Sequence, residues 1–147
     1  MGEKQFKEAV QFAIEKEIHS FDFYTRASEA THYSGAKELF LELAKEEEHH
    51  RKLIEGLDLT QIKYARVDKV LDLRISDFME EISFRPDMTY DEILRMAMKM
   101  EEHSLKLAND LKDSSTDETS KKLFTFLAGE EAKHKLRLER LYDEKIL

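Results

Sequence analysis

The chain has 147 residues, with no cysteine, four glycines, one proline and a formal net charge of −8. This is long enough for one domain with its own core; the lack of Cys excludes disulfides, iron–sulfur clusters and a four-cysteine iron site, and the negative balance argues against a nucleic-acid partner. Nothing approaches the roughly 18 consecutive apolar residues of a membrane span, and MGEKQFKEAV lacks the apolar core of a signal peptide, which suits a soluble cytoplasmic protein.

Abundant Leu, Glu, Lys and Ala with so little Gly and Pro predict an all-α protein. Phe6, Val10, Ala13, Glu17, Ser20, Tyr24 and Ala27 recur at steps of four and three, the buried stripe of a helix over about residues 4–30. Phe40, Leu43, Glu47, His50, Ile54 and Leu57 do the same for a helix of about 35–57. Residues 58–88 form a long connection, with irregularly spaced apolar residues that suggest an ordered crossover containing a short helix. Tyr90, Leu94, Ala97, Glu101, Ser104, Ala108 and Leu111 mark a third helix of about 90–112. Thr89 can cap it, Glu92 can close a capping box, and Met88 can pack on Ile93. Phe124, Leu127, Glu131, His134, Leu138 and Leu141 mark a fourth of about 117–144, with Ser115 and Glu118 as candidate capping residues. Short, long and short connections are those of a single-domain four-helix bundle (1–147) with one long crossover between helices 2 and 3.

The chain also repeats itself. Residues 9–57 laid on 93–141, a shift of 84, agree at fourteen of 49 positions without a gap. Among them are Ala13/Ala97, Glu17/Glu101, Ser20/Ser104, Phe40/Phe124, Glu46/Glu130, Glu47/Glu131 and His50/His134. The bundle is thus expected to be a duplicated helical hairpin. The repeat sorts the four places where a Glu is followed three residues later by His. Glu29/His32 falls on Asp113/Thr116, and Glu46/His49 falls on Glu130/Lys133; both lose their partner. Glu47/His50 finds Glu131/His134.

Those two pairs lie on the apolar stripes, as do Glu17 and Glu101. An unpaired buried carboxylate costs several kcal/mol in lost hydration. Four of them, with two histidines and no buried Lys or Arg expected, call for two divalent cations to supply the balancing charge. Residues three apart project from neighbouring points of one helical face, so each Glu–His pair can converge on one ion. One Glu from each odd helix and one Glu-x-x-His from each even helix is a dimetal carboxylate set. Mixed imidazole and carboxylate donors suit iron, manganese or zinc, and a redox-active pair favours iron.

At EIHSFDFY (Glu17 to Tyr24), LAKEEEHH (Leu43 to His50), MEEHS (Met100 to Ser104) and LAGEEAKH (Leu127 to His134), the sequence resembles the rubrerythrin branch of the ferritin-like superfamily across nearly its whole length. The resemblance implies a ferritin-like bundle holding two irons. Glu17 and Glu101 would be terminal ligands, Glu47 and Glu131 would bridge, and His50 and His134 would each complete one iron. Tyr24 matches a tyrosine beside the site. Glu46 and Glu130 stand where bacterioferritin-like sites place an Asp that hydrogen-bonds the His of the opposite motif. By that analogy Glu46 would hold His134 and Glu130 would hold His50. The chain departs from the family in two ways. Ser104 stands where the family carries a further Glu ligand, leaving a six-residue set, and no cysteines are present for a rubredoxin domain.

The expected function is therefore a non-haem diiron oxidoreductase, reducing peroxide or dioxygen with electrons from an external donor such as a rubredoxin-type protein. The alternative is a ferroxidase-type or non-catalytic iron-handling module, or a structural bundle carrying zinc or manganese. Phe12, Phe23, Phe126 and Tyr142 lie outside the four stripes and suggest a two-fold homodimer. His19, His32, His49 and His103, with Glu15, Glu48 and Glu102, are expected at the surface. Met96, Met98 and Met100 are expected to fill gaps in the core or an interface.

Overall fold

A computed structural model describes residues 2–58 and 82–146. Four helices make up the described residues: α1 (Gly2–Ala30), α2 (Ser34–Glu55), α3 (Tyr90–Ser114) and α4 (Glu118–Ile146). Each predicted helix is present within a few residues of its expected ends. Most of the crossover, including the short helix expected there, lies outside the described residues. The connections 31–33 and 115–117 are three residues each and correspond to one another under the shift of 84.

The four stripes close on a common core. Every stripe residue of α1 is buried, from Phe6 to Ala27, and so are Phe40, Leu43 and Ile54 on α2 and Phe124, Leu127 and Leu138 on α4. Leu57, just past the end of α2, and Leu141 pack against this core from its edge. Fully burying one such apolar side chain contributes about 1.5–3 kcal/mol. α1 packs along α2 and α3 along α4, while α1–α3 and α2–α4 contacts join the two hairpins. Phe6 and Phe124 meet edge to face across the hairpins at 6.3 Å, and Phe40 stacks on Tyr24 at 6.1 Å.

The start of α3 follows expectation. Thr89 accepts from the Glu92 amide at 3.2 Å, Glu92 accepts from the Thr89 amide at 3.1 Å, and Met88 and Ile93 are both buried. The start of α4 differs. Asp117, not Ser115, is the cap, accepting from the Ser120 amide at 2.9 Å. Ser115 instead closes the end of α3, its hydroxyl donating to the Leu111 carbonyl at 2.6 Å. A hydroxyl just past a helix end satisfies one of the orphan carbonyls there, and that use competes with capping the next helix.

α1 buries a wider face than one stripe. Ala9, Phe12, Lys16 and Phe23 form a second buried column beside the first. Phe12 and Phe23 are therefore not spare surface for a second copy; they belong to this chain's core. No helix among the described residues is long and apolar enough to cross a membrane.

Candidate metal centre

Midway along the bundle the apolar core is interrupted by one polar layer. Glu17, Glu47, His50, Glu101, Glu131 and His134 are all buried, with exposures of 6%, 0%, 2%, 1%, 1% and 1%. α1 and α3 contribute one Glu each, and α2 and α4 one Glu–His pair each. The structure brings together all six residues singled out in the sequence.

They form two overlapping groups. Glu17, Glu47, His50 and Glu131 offer one ligand atom each, all within 4.8 Å of one another, and so do Glu47, Glu101, Glu131 and His134. Glu47 and Glu131 belong to both groups. Within the cluster, each histidine's Nδ1 lies closest to the glutamate of the opposite pair. His50 Nδ1 lies 3.0 Å from Glu131 Oε1 and 3.6 Å from its own helix's Glu47. His134 Nδ1 lies 3.0 Å from Glu47 Oε1, 3.5 Å from Glu101 and 3.8 Å from Glu131. The two rings lie nearly parallel, with centroids 5.6 Å apart.

The donor set fits cations. Glu17 Oε2, both Glu47 oxygens, Glu101 Oε2, Glu131 Oε2 and His134 Nδ1 face the cluster, and these, like His134 Nε2 behind it, are buried without a hydrogen bond of acceptable geometry. Buried polar atoms are almost always satisfied, and six unsatisfied ones aimed at one place is what a pair of ion sites looks like.

The protein groups by themselves show how severe the crowding is. Burial, with the charges of neighbouring carboxylates, holds Glu17 and Glu131 well above the usual carboxylate range. Burial also raises Glu47, chiefly with the Glu101 charge beside it. Glu101 is the exception. Burial opposes its charge, but contacts with Glu131, His134 and the Tyr24 hydroxyl outweigh that and lower its pKa. The histidines split: burial and the neighbouring His134 push His50 down to about 4. Burial works against His134 too, yet the Glu101 and Glu47 carboxylates facing its ring raise it to about 11.

His134 thus holds a proton near neutral pH, and Glu17 and Glu131 keep theirs to higher pH than free carboxyls do; an incoming cation must displace them. Metal affinity is expected to rise with pH, by roughly tenfold per unit for each proton displaced. Competition titrations of a divalent metal at successive pH values measure that slope; a flat profile would show that these groups do not bind the ion.

Two neighbours complete the layer. Tyr24, fully buried, donates its hydroxyl to Glu101 Oε1 at 2.5 Å, and burial and the Glu101 charge raise its pKa well above the usual tyrosine value. Lys16 overturns the expectation that no basic residue is buried here. It is 3% exposed, with its amine over the Phe12 ring, and burial lowers its pKa to about 8 against the opposing pull of Glu131 and Glu17. The column Ala9, Phe12, Lys16, Phe23 is itself spaced by three, four and seven, and that is the signal the sequence offers for Lys16. Lys16, Glu17, Ser104 and Glu131 line a cavity of about 20 Å³, the room of one water molecule.

Behind the histidines the two halves differ. Glu46 Oε2 lies 2.6 Å from His134 Nε2, so the two residues expected to pair are in ion-pair contact, but that nitrogen makes no hydrogen bond of acceptable geometry. No ion pair or hydrogen bond among the described residues joins Glu130 to His50, although its charge acts on that ring. His32 and His49 are exposed and His19 and His103 half-buried. His19 Nε2 donates to the Ile82 carbonyl, fastening the end of the crossover to α1. Glu48 pairs with Arg51 and Glu102 with Lys135 at the surface, while Glu15 is half-buried. Met100 is in the core, with Met96 and Met98 packed against it.

Comparison with known proteins agrees with this architecture. The family model described as Rubrerythrin matches residues 8–142. No curated protein sequence matches the chain. A Thermotoga maritima protein described as ferritin-like diiron-carboxylate superposes with a TM-score of 0.75 at 23% identity, covering 96% of each chain. A hypothetical protein from Pyrococcus furiosus superposes with a TM-score of 0.69 at 24% identity, covering 94% of this chain and 88% of its own. The third is a two-domain protein from Anabaena variabilis with DJ-1/ThiJ/PfpI-like and ferritin-like domains. It matches at 15% identity and a TM-score of 0.69, and 99% of the present chain covers 38% of it. At these identities the likeness to solved structures speaks to the fold.

Proposed function

The chain belongs to the rubrerythrin family, and on that premise we propose that it is a non-haem diiron protein that reduces peroxide or dioxygen with electrons from an external donor. The observation that carries the proposal is the pair of overlapping Glu/His groups sharing Glu47 and Glu131. Glu47 and Glu131 would bridge two ions, Glu17 and His50 would complete one, and Glu101 and His134 the other. When bound, two irons would supply two electrons to an O–O bond at one place.

This chain's own residues would do the rest. The four carboxylates balance the charge of two divalent ions, and the surrounding apolar core excludes bulk water, so that charge is strongly felt. Ser104 and the neighbouring cavity leave room on the Glu17–Glu131 side for a molecule no larger than a water or a diatomic. The Lys16 amine on the same wall can hold a proton close to the oxygen that acquires charge. Tyr24 orients Glu101 by its hydrogen bond and holds a proton at the opposite end of the layer.

One observation favours a second reading. Ser104 offers no seventh carboxylate, so the six-residue set also suits a ferroxidase-type module whose substrate is iron itself. Manganese or zinc would fit the same donors. The proposal includes a two-fold homodimer, whose support narrows to exposed apolar side chains such as Phe126, Ile18, Phe21 and Leu41.

The test is stopped-flow oxidation of the anaerobically iron-loaded protein, with peroxide against dioxygen, followed by re-reduction. Oxidation of two irons per chain that a reduced rubredoxin-type donor then reverses is the expected result. Progressive accumulation of ferric iron beyond two per chain would favour iron handling. Iron that stays ferrous with both oxidants would remove the oxidoreductase reading.

A further inference from the structure

The two halves of the duplicated hairpin have diverged behind their histidines, and we propose that this makes the two metal positions unequal. The ion held by His134 binds more tightly, because Glu46 and Arg137 form a charged chain behind that imidazole that His50 lacks. The inference rests on the dimetal reading above.

The chain runs from the surface inward. Arg137 Nη2 lies 2.8 Å from Glu42 Oε2, and its Nη1 donates to Glu46 Oε2 at 3.5 Å. The same Glu46 oxygen is 2.6 Å from His134 Nε2, while His134 Nδ1 faces the ligand cluster. Glu42 and Glu46 sit four apart on one face of α2, and His134 and Arg137 three apart on one face of α4, so the contacts follow from helix geometry. Under the shift of 84, Glu42 becomes Phe126 and Arg137 becomes Leu53. Phe126 meets the His50 ring edge to face at 6.3 Å. Glu130, the counterpart of Glu46, thus has Leu53 where Glu46 has a guanidinium, and it makes no ion pair with His50.

A carboxylate that accepts the outer N–H of a metal-bound imidazole fixes its tautomer and makes its inner nitrogen a stronger donor, typically worth 10–100-fold in affinity. His134 has a carboxylate oxygen 2.6 Å from its outer nitrogen, an ion-pair contact that needs only a small turn of Glu46 to align as a hydrogen bond, and His50 has an aromatic edge. Arg137 is a positioning residue. The side chains of Glu46 and Arg137 are about one-third exposed, at 35% and 32%, so without its clamp Glu46 is free to turn to water. The positive charge of Arg137 opposes a cation, but its exposure screens that effect.

Cobalt(II) titration of the chelator-treated chain, followed by calorimetry and visible absorption, tests this. The parent is expected to take two ions in resolved steps separated on the order of 10–100-fold. Glu46→Ala should weaken the tighter step by that factor and leave the other unchanged, with Glu46→Gln close to the parent because its oxygen still accepts. Arg137→Leu should weaken the same step severalfold, and add nothing in a Glu46→Ala background, as a shared path requires. Glu130→Ala should alter neither step. Two equal steps in the parent, or equal effects of Glu46→Ala and Glu130→Ala, would overturn the inequality while leaving two metals in place. Tighter binding in Arg137→Leu would overturn the positioning role. A parent that binds no cobalt would overturn the dimetal reading itself.

Discussion

Replacing Glu131 with alanine is expected to give a folded protein that retains at most one metal ion per chain, and Glu47→Ala the same. These two carboxylates belong to both ligand groups, so removing one takes a donor from each ion at once. Loss of Glu17 or Glu101, which belong to one group each, is expected to spare the other ion. The alternative, that Glu131→Ala simply unfolds the bundle, is separable by sign. A buried carboxyl whose pKa is raised by burial and like charges is a cost to the folded state when no cation answers it. Glu131→Met, which keeps the volume with no charge, should therefore melt no earlier than the chelated parent, and still fail to bind two ions. Metal analysis after anaerobic purification, beside thermal melting of the chelated proteins, reads both quantities. Two ions at full affinity in Glu47→Ala and Glu131→Ala would sink the ligand assignment.

Withdrawing metal from the parent should lower its melting temperature, and lower it further as pH rises. A ligand bound only by the native state at about a hundredfold excess over its Kd stabilises by about 2.7 kcal/mol. In a chain of this size each kcal/mol moves the midpoint by about 2–4 °C, so the gap is on the order of 10 °C. The pH trend follows from the groups that hold extra protons in the fold. Glu17 and Glu131 are held well above the usual carboxylate value of 4.5, and His134 is raised to about 11 from 6.5. Between 4.5 and these values the native state binds more protons than the unfolded chain, so stability of the chelated protein falls as pH rises. His50, lowered to about 4 from 6.5, acts in the opposite direction between those values, and Lys16, lowered to about 8, does so above that pH, so the trend is clearest from about 6.5 to about 8. Metal-loaded protein loses those protons on binding and should show a weaker trend. Melting curves of loaded and chelated protein across this window check it; a gap that closes with rising pH contradicts the assignment.

The sequence by itself determined the helices, the duplicated hairpin and the six polar residues of the central layer. All of these are properties of one helix at a time. A residue's place on the 3.6-residue repeat decides whether it faces the core, so a Glu seven residues from Phe40 must be buried with it. The internal repeat then separated Glu47/His50 from Glu46/His49, which lie one residue apart and differ in facing.

What only the tertiary structure decided lies at the flanks of those stripes, where burial depends on the neighbouring helix. Lys16, one position before Glu17, is enclosed because α1 buries a second column beside its first. Ser115 ends α3 rather than starting α4 because both helices compete for the same three-residue connection. Glu46 and Glu130 occupy identical places in the two repeats, yet one reaches a histidine and the other does not. The difference comes from across the bundle: Arg137 on α4 draws Glu46 to His134, while α2 offers Leu53 at the corresponding place. Periodicity assigns a side chain to a face of its own helix; which partner meets it there depends on packing between helices.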